Sequence, residues 1–443
     1  MSQQEQLARK VVRRLRELGH SAYFVGGCVR DLLMGLEPKD YDVVTSATPD
    51  QLSALYPDAY RVGAHFGVLL IRDQDAQVEV ATYRTDIDYR DGRRPTEVRF
   101  EIDPREDAIR RDFTINALLL DPESGEVLDF VGGGDDLRQG IVRAIGEPHR
   151  RFAEDRLRML RAIRFAARFG FTIEPKTFRA IQDMAPHIHE VSAERIRDEL
   201  VRILTEGGAR RGLELLDESG LLQQILPEVS AMKGVQQPPE FHPEGDVWTH
   251  TLIMLEGLQQ PSPELAMGVL LHDVGKPPTF QVRDRIRFDG HVEAGVEIAT
   301  DILSRLRFSR EQSEQIEALI ANHMKFKDAP RMKDSTLKRF LRLPEFDEHL
   351  ELHRLDCLSS HGSLENYDYV QARRTEFGQE QIAPPRLLTG ADLIDEGWTP
   401  GPDFGEALRV VEDAQLEGSI HTREEALELA SSVLRERLRD RLD

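Results

Sequence analysis

A glycine pair followed by two closely spaced aspartates constrains the amino-terminal part of this chain more than any other feature. Residues 26–42 read GGCVRDLLMGLEPKDYD, so Gly26 and Gly27 precede Asp40 and Asp42. Side chains two positions apart on a strand project to one face, and two carboxylates there can hold one or two Mg²⁺ ions. Glycines let the backbone approach a phosphate, and paired metal ions suit in-line phosphoryl transfer. The stretch predicts a triphosphate site beside a metal site.

Length and composition narrow the class of protein. The 443 residues are enough for about three domains. The sequence has no apolar run near 18 residues and no signal-peptide pattern, which predicts a soluble, cytoplasmic protein without a membrane partner. The formal charge of −21 argues against general wrapping of nucleic acid, so any such contact must come from a local basic surface.

The hydrophobic pattern changes character near residue 146. Before it, residues 5–18 have helical spacing and several short β-like runs follow, which predicts a small mixed α+β domain. From residue 150 the pattern is almost continuously helical, and it predicts one helix over 152–169. The predicted domains are 1–146, 147–235, 236–365 and 366–443.

Two further segments could complete the site in the first domain. Glu79 lies in an alternating strand pattern and could add a third carboxylate to the metal site, although a solvated strand glutamate fits the spacing equally well. The adjacent Arg110 and Arg111 suit triphosphate oxygens, because guanidinium groups bind them with charge assistance. Without its context, such a pair is more typical of a surface.

The segment EDRLRMLRAIRF carries a candidate base selector. Asp155, Arg158 and Arg161 recur every three residues, which on a helix keeps neighbours close. Cytosine and adenine both present an amino donor next to a ring-nitrogen acceptor, whereas uracil and guanine present the reverse order. An aspartate acceptor beside an arginine donor therefore fits C and A and leaves unpaired groups against U and G. An ordinary salt bridge between Asp155 and Arg158 is the alternative interpretation, and Arg164 lies half a turn away.

Taken in order, GGCVRD, KDYD, YRDGRRP, RRDFTINAL and EDRLRMLRAIRF resemble the class II tRNA nucleotidyltransferases, the CCA-adding family within the polymerase-β-like superfamily. The resemblance covers roughly the first 220 residues and implies a polymerase-β-like head, a helical neck, and template-free addition of C and A from CTP and ATP to the tRNA acceptor end. It implies Asp40 and Asp42 as catalytic Mg²⁺ ligands. The nucleotide-binding residues that it implies are Gly27, Arg30, Arg111, Asp155, Arg158, Arg161 and Arg164.

Two segments bear on the subfamily. Bacterial poly(A) polymerases usually carry a basic run soon after the two aspartates, whereas residues 62–66 here read VGAHF, which favours a tRNA enzyme. Residues 91–95, DGRRP, resemble the flexible loop that allows the switch from C to A, with Asp91, Arg93 and Arg94 as its polar members. An A-adding tRNA enzyme would share this loop and stays an alternative, as does a poly(A) polymerase.

A block of histidines and aspartates lies between residues 246 and 356. Imidazole and carboxylate groups suit Mn²⁺, Fe²⁺, Ni²⁺ or Zn²⁺, and the arrangement resembles the HD phosphohydrolase superfamily. That resemblance implies a metal-dependent phosphohydrolase, with Lys276 positioned for a substrate phosphate and 2′,3′-cyclic phosphates on damaged tRNA ends as a hypothetical substrate. The implied metal ligands are His250, His272, Asp273, His291, His323 and Asp356.

The remaining features leave alternatives open. Eight arginines between residues 143 and 168 could form a basic lane for tRNA, or could pair with nearby Glu and Asp. Residues 366–443 are predicted to contact the tRNA body, with a packing role equally consistent. A protein of another class is also conceivable, in which the HD block is the main activity and the head only binds nucleotide or RNA.

Overall fold

The computed structural model describes residues 1–61, 67–89 and 95–440, which form two compact units. One unit comprises Met1–Ala231 with Ile302–Phe308, and the other comprises Met232–Asp301 with the described residues from Ser309 onward. No helix in the described part of the chain is long and apolar enough to cross a membrane.

The first unit is built on a seven-stranded mixed sheet in the order β3-β4-β5-β2-β1-β8-β9. Strands β2 and β5 run parallel, and β1 pairs antiparallel with both β2 and β8. Two further pairs, β6 with β7 and β10 with β11, lie outside this sheet. The strands are β1 Ala22–Val25, β2 Asp42–Thr45, β3 Tyr60–Arg61, β4 Val68–Asp73, β5 Ala76–Thr82, β6 Arg84–Tyr89, β7 Pro95–Phe100, β8 Leu119–Leu120, β9 Val127–Leu128, β10 Ile141–Val142 and β11 Thr172–Ile173.

The first helix, Gln3–Glu17, covers this sheet. The hydroxyl oxygen of Ser2 accepts a hydrogen bond from the Glu5 N–H, which satisfies one of the free donors at the helix start. Leu7, Val11 and Leu15 recur at helical spacing and are buried in the core formed with the strand side chains. Each fully buried aliphatic side chain contributes roughly 1.5–3 kcal/mol, so this stripe fixes the helix on the sheet.

The predicted single helix over 152–169 is wrong, because the structure breaks it at Asp155. This residue has extended backbone dihedrals (φ −154°, ψ 106°) and stands between two helices. Its Oδ1 accepts a hydrogen bond from the Leu157 N–H, a local bond that competes with helix continuation. The helices of the first unit are α1 Gln3–Glu17, α2 Gly27–Leu33, α3 Pro49–Leu55, α4 Pro104–Ile109, α5 Gly133–Gln139, α6 Pro148–Glu154, α7 Leu157–Phe169, α8 Pro175–Met184, α9 Ala193–Thr205, α10 Ala209–Glu218, α11 Leu221–Ile225 and α12 Pro227–Ser230.

The second unit is almost entirely helical, so the predicted α+β head followed by helical domains is confirmed. A short antiparallel hairpin, β12 Gln281–Val282 with β13 Ile286–Arg287, is the exception. The helices are α13 Val247–Glu256, α14 Pro263–Leu271, α15 Lys276–Thr279, α16 His291–Arg305 (whose last turn belongs to the first unit), α17 Arg310–Asn322, α18 Asp334–Leu341, α19 Phe346–Ser359, α20 Glu365–Ile382, α21 Gly390–Asp395, α22 Pro402–Leu416 and α23 Arg423–Asp440.

A direct backbone contact joins the segment after α14 to the start of α16. Helix α14 is buried from Leu265 through Leu271, its last residue, and His272 caps its end. A Cβ atom on Gly275 would lie 2.1 Å from the His291 carbonyl oxygen and 2.5 Å from the Gly295 nitrogen. Only glycine fits there, and the close approach brings His272 and Asp273 next to His291.

Candidate active site and metal centre

The sheet places Asp42 opposite Glu79. The parallel register of β2 and β5 pairs the two residues, and Glu79 lies on the exposed face of β5, as predicted from its alternation. Burial, together with the negative charges of Glu79 and Asp40, raises the pKa of Asp42 to about 6. Asp40 is exposed and lies just before β2. Carboxylates that repel one another in this way fit a divalent cation, which would relieve the repulsion.

The glycine turn lies beside two arginines. Gly26 has φ +76°, a conformation that glycine adopts without strain, and caps the start of α2. A Cβ on Gly26 would lie 3.2 Å from Arg111 Nη1, and one on Gly27 would lie 3.6 Å from Arg30 Nη2. The predicted residues Gly27, Arg30 and Arg111 are therefore brought together. Arg111 is anchored by Asp107, to which its Nε and Nη2 donate at 3.2 and 3.0 Å.

Arg30 differs from Arg111 in being enclosed. It is 4% exposed, and it donates to Asp31 Oδ1 at 2.7 and 2.9 Å and to Asn116 Oδ1 at 2.7 Å. Its guanidinium carbon lies 4.6 Å from the centroid of the Phe169 ring, and burial lowers its pKa. Arg30 thus supports the glycine turn from the protein interior, whereas Arg111 faces the turn itself.

The two predicted base selectors are each held by another residue. Asp155 receives two hydrogen bonds from Arg195, at 3.2 and 2.8 Å. Arg158 donates to Glu154 Oε2 at 2.7 Å and to the Arg151 carbonyl oxygen at 2.9 Å. The alternative of a direct Asp155–Arg158 salt bridge is therefore wrong. Arg195 was missed, because nothing in the sequence around it distinguishes it from other helix-surface arginines.

A chain of buried hydrogen bonds connects α7 with the glycine turn. Arg161 binds Asp112 Oδ2 at 2.6 Å, and Asn116 Nδ2 donates to Asp112 Oδ1 at 3.1 Å. Asn116 in turn accepts from Arg30. Burial alone would raise the pKa of Asp112, but Arg161 and Arg158 outweigh it and lower the pKa to about 2. Asp112 is therefore ionised and fixes Arg161, one of the predicted nucleotide-binding residues.

The predicted basic lane is largely neutralised within the fold. Arg164 is 5% exposed and pairs with Glu199 at 2.7 Å and with Glu206 at 3.2 Å, so it lies in the interior. Arg150 is the most exposed of the eight, with 85% of its side chain accessible. Pairing with acidic residues is thus the better interpretation for most of the set. The partners are Asp136 for Arg143, Glu154 for Arg150, Arg151 and Arg158, Glu190 for Arg156, Asp112 for Arg161, Glu199 for Arg164 and Glu206 for Arg168.

Two predicted features lie outside the described residues. The segment at 62–66 falls between β3 and β4, and the switching-loop residues Asp91, Arg93 and Arg94 fall between β6 and β7.

In the second unit, four histidines present the same ring atom without a hydrogen-bond partner. Each donates a hydrogen bond through Nδ1–H to an oxygen, which fixes the orientation of the ring. Within the described part of the chain, each Nε2 is buried and makes no well-formed hydrogen bond, although a carboxylate oxygen lies 3.2 Å from that of His250 and 3.1 Å from that of His272. Neutral imidazole with Nδ1 bonded and Nε2 free is the form that binds a metal ion. The Nδ1 partners are Glu244 Oε1 for His250 and the carbonyl oxygens of Val269, Phe288 and Ile320 for His272, His291 and His323.

Asp273 lies at the centre of these rings. Its Oδ2 is 3.1 Å from His272 Nε2, and its Oδ1 is 3.9 Å from Nε2 of both His291 and His323. Burial would raise the pKa of Asp273, but His272 and Lys276 outweigh it and hold the pKa well below the usual range. The carboxylate is therefore ionised, and the group fits a divalent metal ion.

Asp356 and His250 complete the predicted ligand set. Asp356 Oδ1 lies 3.2 Å from His250 Nε2. Glu244, which the sequence analysis missed, accepts from the opposite side of this ring and from His242, in both cases at 2.8 Å. Lys276 is buried, 2.6 Å from Asp273 Oδ2. Lys276 also lines the pocket beside these ligands, and the phosphate contact that the resemblance implies stays a prediction.

Comparison with known families agrees with this division of the chain. Residues 22–143 match the poly(A) polymerase head domain, and residues 246–356 match the HD domain. Residues 170–233 match a region described as the probable RNA- and SrmB-binding site of polymerase A.

Individual relatives extend the similarity over the whole chain. A CCA-adding enzyme of Leuconostoc mesenteroides is 30% identical over 422 residues, covering 95% of this chain and 94% of that protein. The Bacillus stearothermophilus CCA-adding enzyme solved with CTP is 25% identical, with a TM-score of 0.75 and full coverage of both chains. The Thermotoga maritima CCA-adding enzyme solved with tRNA is 21% identical, covers 97% of this chain and 95% of that one, and shares the fold with a TM-score of 0.57.

The head sheet, its carboxylates and its glycine turn define a nucleotidyltransferase of the poly(A) polymerase head class, followed in the same chain by an HD domain. The 30% sequence identity to the Leuconostoc mesenteroides enzyme, over nearly the full length of both chains, identifies the family within this class. The chain belongs to the family of CCA-adding enzymes.

Proposed function

We propose that this protein builds or repairs the 3′-terminal CCA of tRNA from CTP and ATP, without a nucleic-acid template and with release of pyrophosphate. The observation that carries the proposal is the partly buried Asp42 facing Glu79, next to a glycine turn that Arg111 overlies. Family membership and the relatives solved with CTP and with tRNA support it.

In the head, Asp40 and Asp42, with Glu79, would hold Mg²⁺, and a divalent ion there would supply a lower pKa for the tRNA 3′-hydroxyl and positive charge beside the α-phosphate. Arg111 and the Gly27 backbone bind the triphosphate and orient its α-phosphorus. The 3′-hydroxyl gives up its proton to solvent and its oxygen forms the new bond to the α-phosphorus. The bond between the α-phosphorus and its bridging oxygen breaks, and pyrophosphate leaves with that electron pair.

Asp155 and Arg158 select the base. Asp155 accepts from the exocyclic amino group of C or A, and Arg158 donates to the neighbouring ring nitrogen. Before a nucleotide binds, Arg195 and Glu154 keep both side chains ordered and neutralised, so binding requires only an exchange of partners. U and G leave Asp155 and Arg158 without matching groups, which is a strong basis for rejection. Arg161 and Arg164 support α7 from the interior.

The test uses tRNAs that end at the discriminator base, at C and at CC. Each is incubated with CTP alone, with ATP alone and with both. Extension of all three to CCA supports the proposal. Repeated A addition would indicate a poly(A) polymerase, and activity only on the CC-ended tRNA would indicate an A-adding enzyme. Replacement of Asp91, Arg93 and Arg94 by alanine should stop extension after CC if these residues form the switching loop.

As a second function, the HD domain is a metal-dependent phosphohydrolase. The observation that favours it is the four buried Nε2 atoms converging on two carboxylates. Ni²⁺, Mn²⁺, Fe²⁺ and Zn²⁺ all suit these ligands, and a metal held by them would supply an activated water for attack on phosphorus. Elemental analysis of the purified protein and the hydrolysis of 2′,3′-cyclic nucleotides test it. A metal-free protein, and an Asp273→Ala variant with an unchanged rate, would refute it.

The remaining roles follow from this assignment. We place the functional boundaries at 1–146 for the head, 147–235 for the neck, 236–365 for the HD domain and 366–443 for a tail that contacts the tRNA body. Action on tRNA fits a cytoplasmic location. If Asp42→Ala retained full transferase activity, the HD domain would become the main activity and the head a nucleotide- or RNA-binding module.

A further inference from the structure

A short segment of the second unit has a charge balance opposite to that of the whole chain. Residues 323–333 contain four lysines and arginines and a single carboxylate, Asp328, whereas the chain has a formal charge of −21. All four cations are exposed. An acidic protein that contacts nucleic acid has to do so through a local basic surface. We name this group the basic strip, and its members are Lys325, Lys327, Arg331 and Lys333.

A 3₁₀ helix, His323–Arg331, holds the basic strip in place. With three residues per turn, Phe326 and Ala329 fall on one side of this helix, and both are fully buried. The Phe326 ring stacks on His353 with centroids 4.3 Å apart and meets the Phe340 ring edge-on at 4.9 Å. The cations fall on the other two sides of the helix or just after its end. A backbone anchored in the core therefore presents them to solvent.

The charge of the basic strip is not compensated by neighbouring side chains. Among the residues that the structure describes, no carboxylate lies at salt-bridge distance from any of the four cations. By contrast, Arg339 and Arg342 of the next helix, α18, pair with Glu412 at 2.9 and 2.8 Å. The arginines on and beside α7 are paired in the same way. The strip therefore differs from the other arginine-rich segment of the chain in keeping its positive charge available.

This surface fits a phosphate backbone better than it fits a protein. Protein interfaces have an apolar centre, and within residues 325–333, all of which the structure describes, no large apolar side chain is exposed. At a rise of about 2.0 Å per residue, Lys325 and Arg331 are roughly 12 Å apart along the helix, a length over which one strand of a duplex carries several phosphates. Four exposed cations spaced in this way can contact successive phosphates of a folded RNA.

We propose that the basic strip binds the phosphate backbone of the tRNA substrate, at a place separate from the nucleotidyl-transfer site. The proposal rests on the transferase function and adds a surface that holds its acceptor substrate. Phosphate contacts carry no sequence information, so the strip positions any tRNA and leaves base selection to the head. Because each contact releases counterions from the RNA, binding through the strip weakens as the salt concentration rises.

The experiment measures the affinity of the full-length protein for a tRNA that ends at CC, without nucleotide, between about 50 and 200 mM salt. The test variant is Lys325→Gln/Arg331→Gln/Lys333→Gln. Lys327 is kept because it also borders the pocket beside the HD ligands. The slope of log affinity against log salt concentration should become shallower by about two to three, since about one unit is lost with each phosphate contact, and affinity at the lowest salt should fall by about tenfold. The kcat at saturating tRNA should not change.

A control variant, Lys10→Gln/Arg138→Gln/Arg310→Gln, removes the same number of positive charges from other places. These side chains are 73, 75 and 91% exposed, and each is paired with a surface carboxylate. Such pairs contribute little to stability, so the control should fold normally. It should also keep the wild-type slope, because the basic strip is intact.

The outcomes separate the basic strip from the transferase itself. A charge-conserving variant, Lys325→Arg/Arg331→Lys/Lys333→Arg, should bind tRNA like the wild type, and equal slopes for the wild type and the glutamine variant would overturn the proposal. A changed oligomeric state in analytical ultracentrifugation with an unchanged slope would also overturn it and assign the strip to a second, acidic copy of this chain. If the wild type binds tRNA but adds no C or A, the transferase fails and the slopes still decide the strip. If the wild type binds no tRNA, both fail.

Discussion

The head and the HD domain prepare their charged side chains in opposite ways. In the head, the arginines and carboxylates predicted to contact the nucleotide already have protein partners, as in the Asp155–Arg195 and Arg158–Glu154 pairs. In the HD domain, four imidazoles each direct a buried Nε2 at a carboxylate without a well-formed hydrogen bond among the described residues. A nucleotide arrives and leaves in every cycle, and paired side chains limit the cost of the empty state. A buried nitrogen without a partner destabilises the fold unless a ligand occupies it, which suits a metal ion that stays bound.

The substitution with the largest expected effect, Asp42→Ala, tests whether the head site and the HD site act independently. Asp42→Ala removes the partly buried carboxylate that faces Glu79, and we expect CCA addition to fall by at least about 1,000-fold, since electrostatic stabilisation at phosphorus is lost. Metal content and phosphodiesterase rate of the HD domain should not change. Asp58→Ala, at an exposed position in the head, is the control. A parallel loss of both activities would contradict the separation of the sites.

Substitution of Glu244 tests whether the fixed orientation of the His250 ring contributes to metal binding in the HD domain. Glu244→Gln weakens the hold on His250 Nδ1, and loss of such a supporting partner typically lowers metal affinity by about 10–100-fold. Competition with a chelator of known affinity measures this change. Transferase activity should stay at the wild-type level. Unchanged metal affinity would mean that Glu244 does not orient His250.

Substitution of Arg195 tests whether its ion pair with Asp155 contributes to nucleotide binding in the head. In Arg195→Ala the Asp155 carboxylate loses two hydrogen bonds and its fixed orientation. We expect KM for CTP and ATP to rise by about tenfold, with more misincorporation of UTP, because a charged hydrogen-bond partner is worth roughly 1.5–3 kcal/mol. Arg195→Lys should recover part of the selectivity. Wild-type kinetics for Arg195→Ala would show that the pair is dispensable.

His349 is buried, and neither of its ring nitrogens has a hydrogen-bond partner among the described residues. It is not one of the metal ligands, so we expect it to affect only the stability of the fold. Burial, assisted by Lys325, lowers its pKa from 6.5 to about 4. Between pH 6.5 and 4 the unfolded chain therefore binds the extra proton, and stability falls as the pH is lowered. The resulting loss in the free energy of unfolding is about 2 kcal/mol at pH 5 and close to zero at pH 7.5.

Replacement of His349 by Leu should remove this part of the acid sensitivity. The melting temperatures of His349→Leu and wild type, measured at pH 5 and pH 7.5, provide the comparison. The variant should gain more at pH 5 than at pH 7.5. An equal gain at both pH values would mean that the histidine titrates normally in the folded protein.

The sequence predicted the residues whose chemistry is distinctive and missed those that act through geometry. The carboxylates at Asp40 and Asp42 and the six HD residues stand in short patterns that only a few functions require. Arg195 and Glu244 come from distant or irregular segments and carry no local pattern. The break between α6 and α7 at Asp155 was also not predicted. The apolar residues on both sides keep helical spacing, and the sequence does not show that Asp155 Oδ1 accepts a hydrogen bond from the Leu157 N–H. Pairing of Arg164 and Arg168 in α7 depends on Glu199 in α9 and on Glu206 just after it, which only the fold reveals.

The contact at Gly275 has a consequence for how the HD site can change. Because main chain rests on main chain there, the spacing between Asp273 and His291 does not depend on the volume of any side chain. Mutations that enlarge or shrink the surrounding apolar core can alter stability without changing that spacing. The preference for one metal over another should therefore change when a ligand residue is substituted. It should not change through small shifts in the distance between Asp273 and His291, because core mutations do not alter that distance.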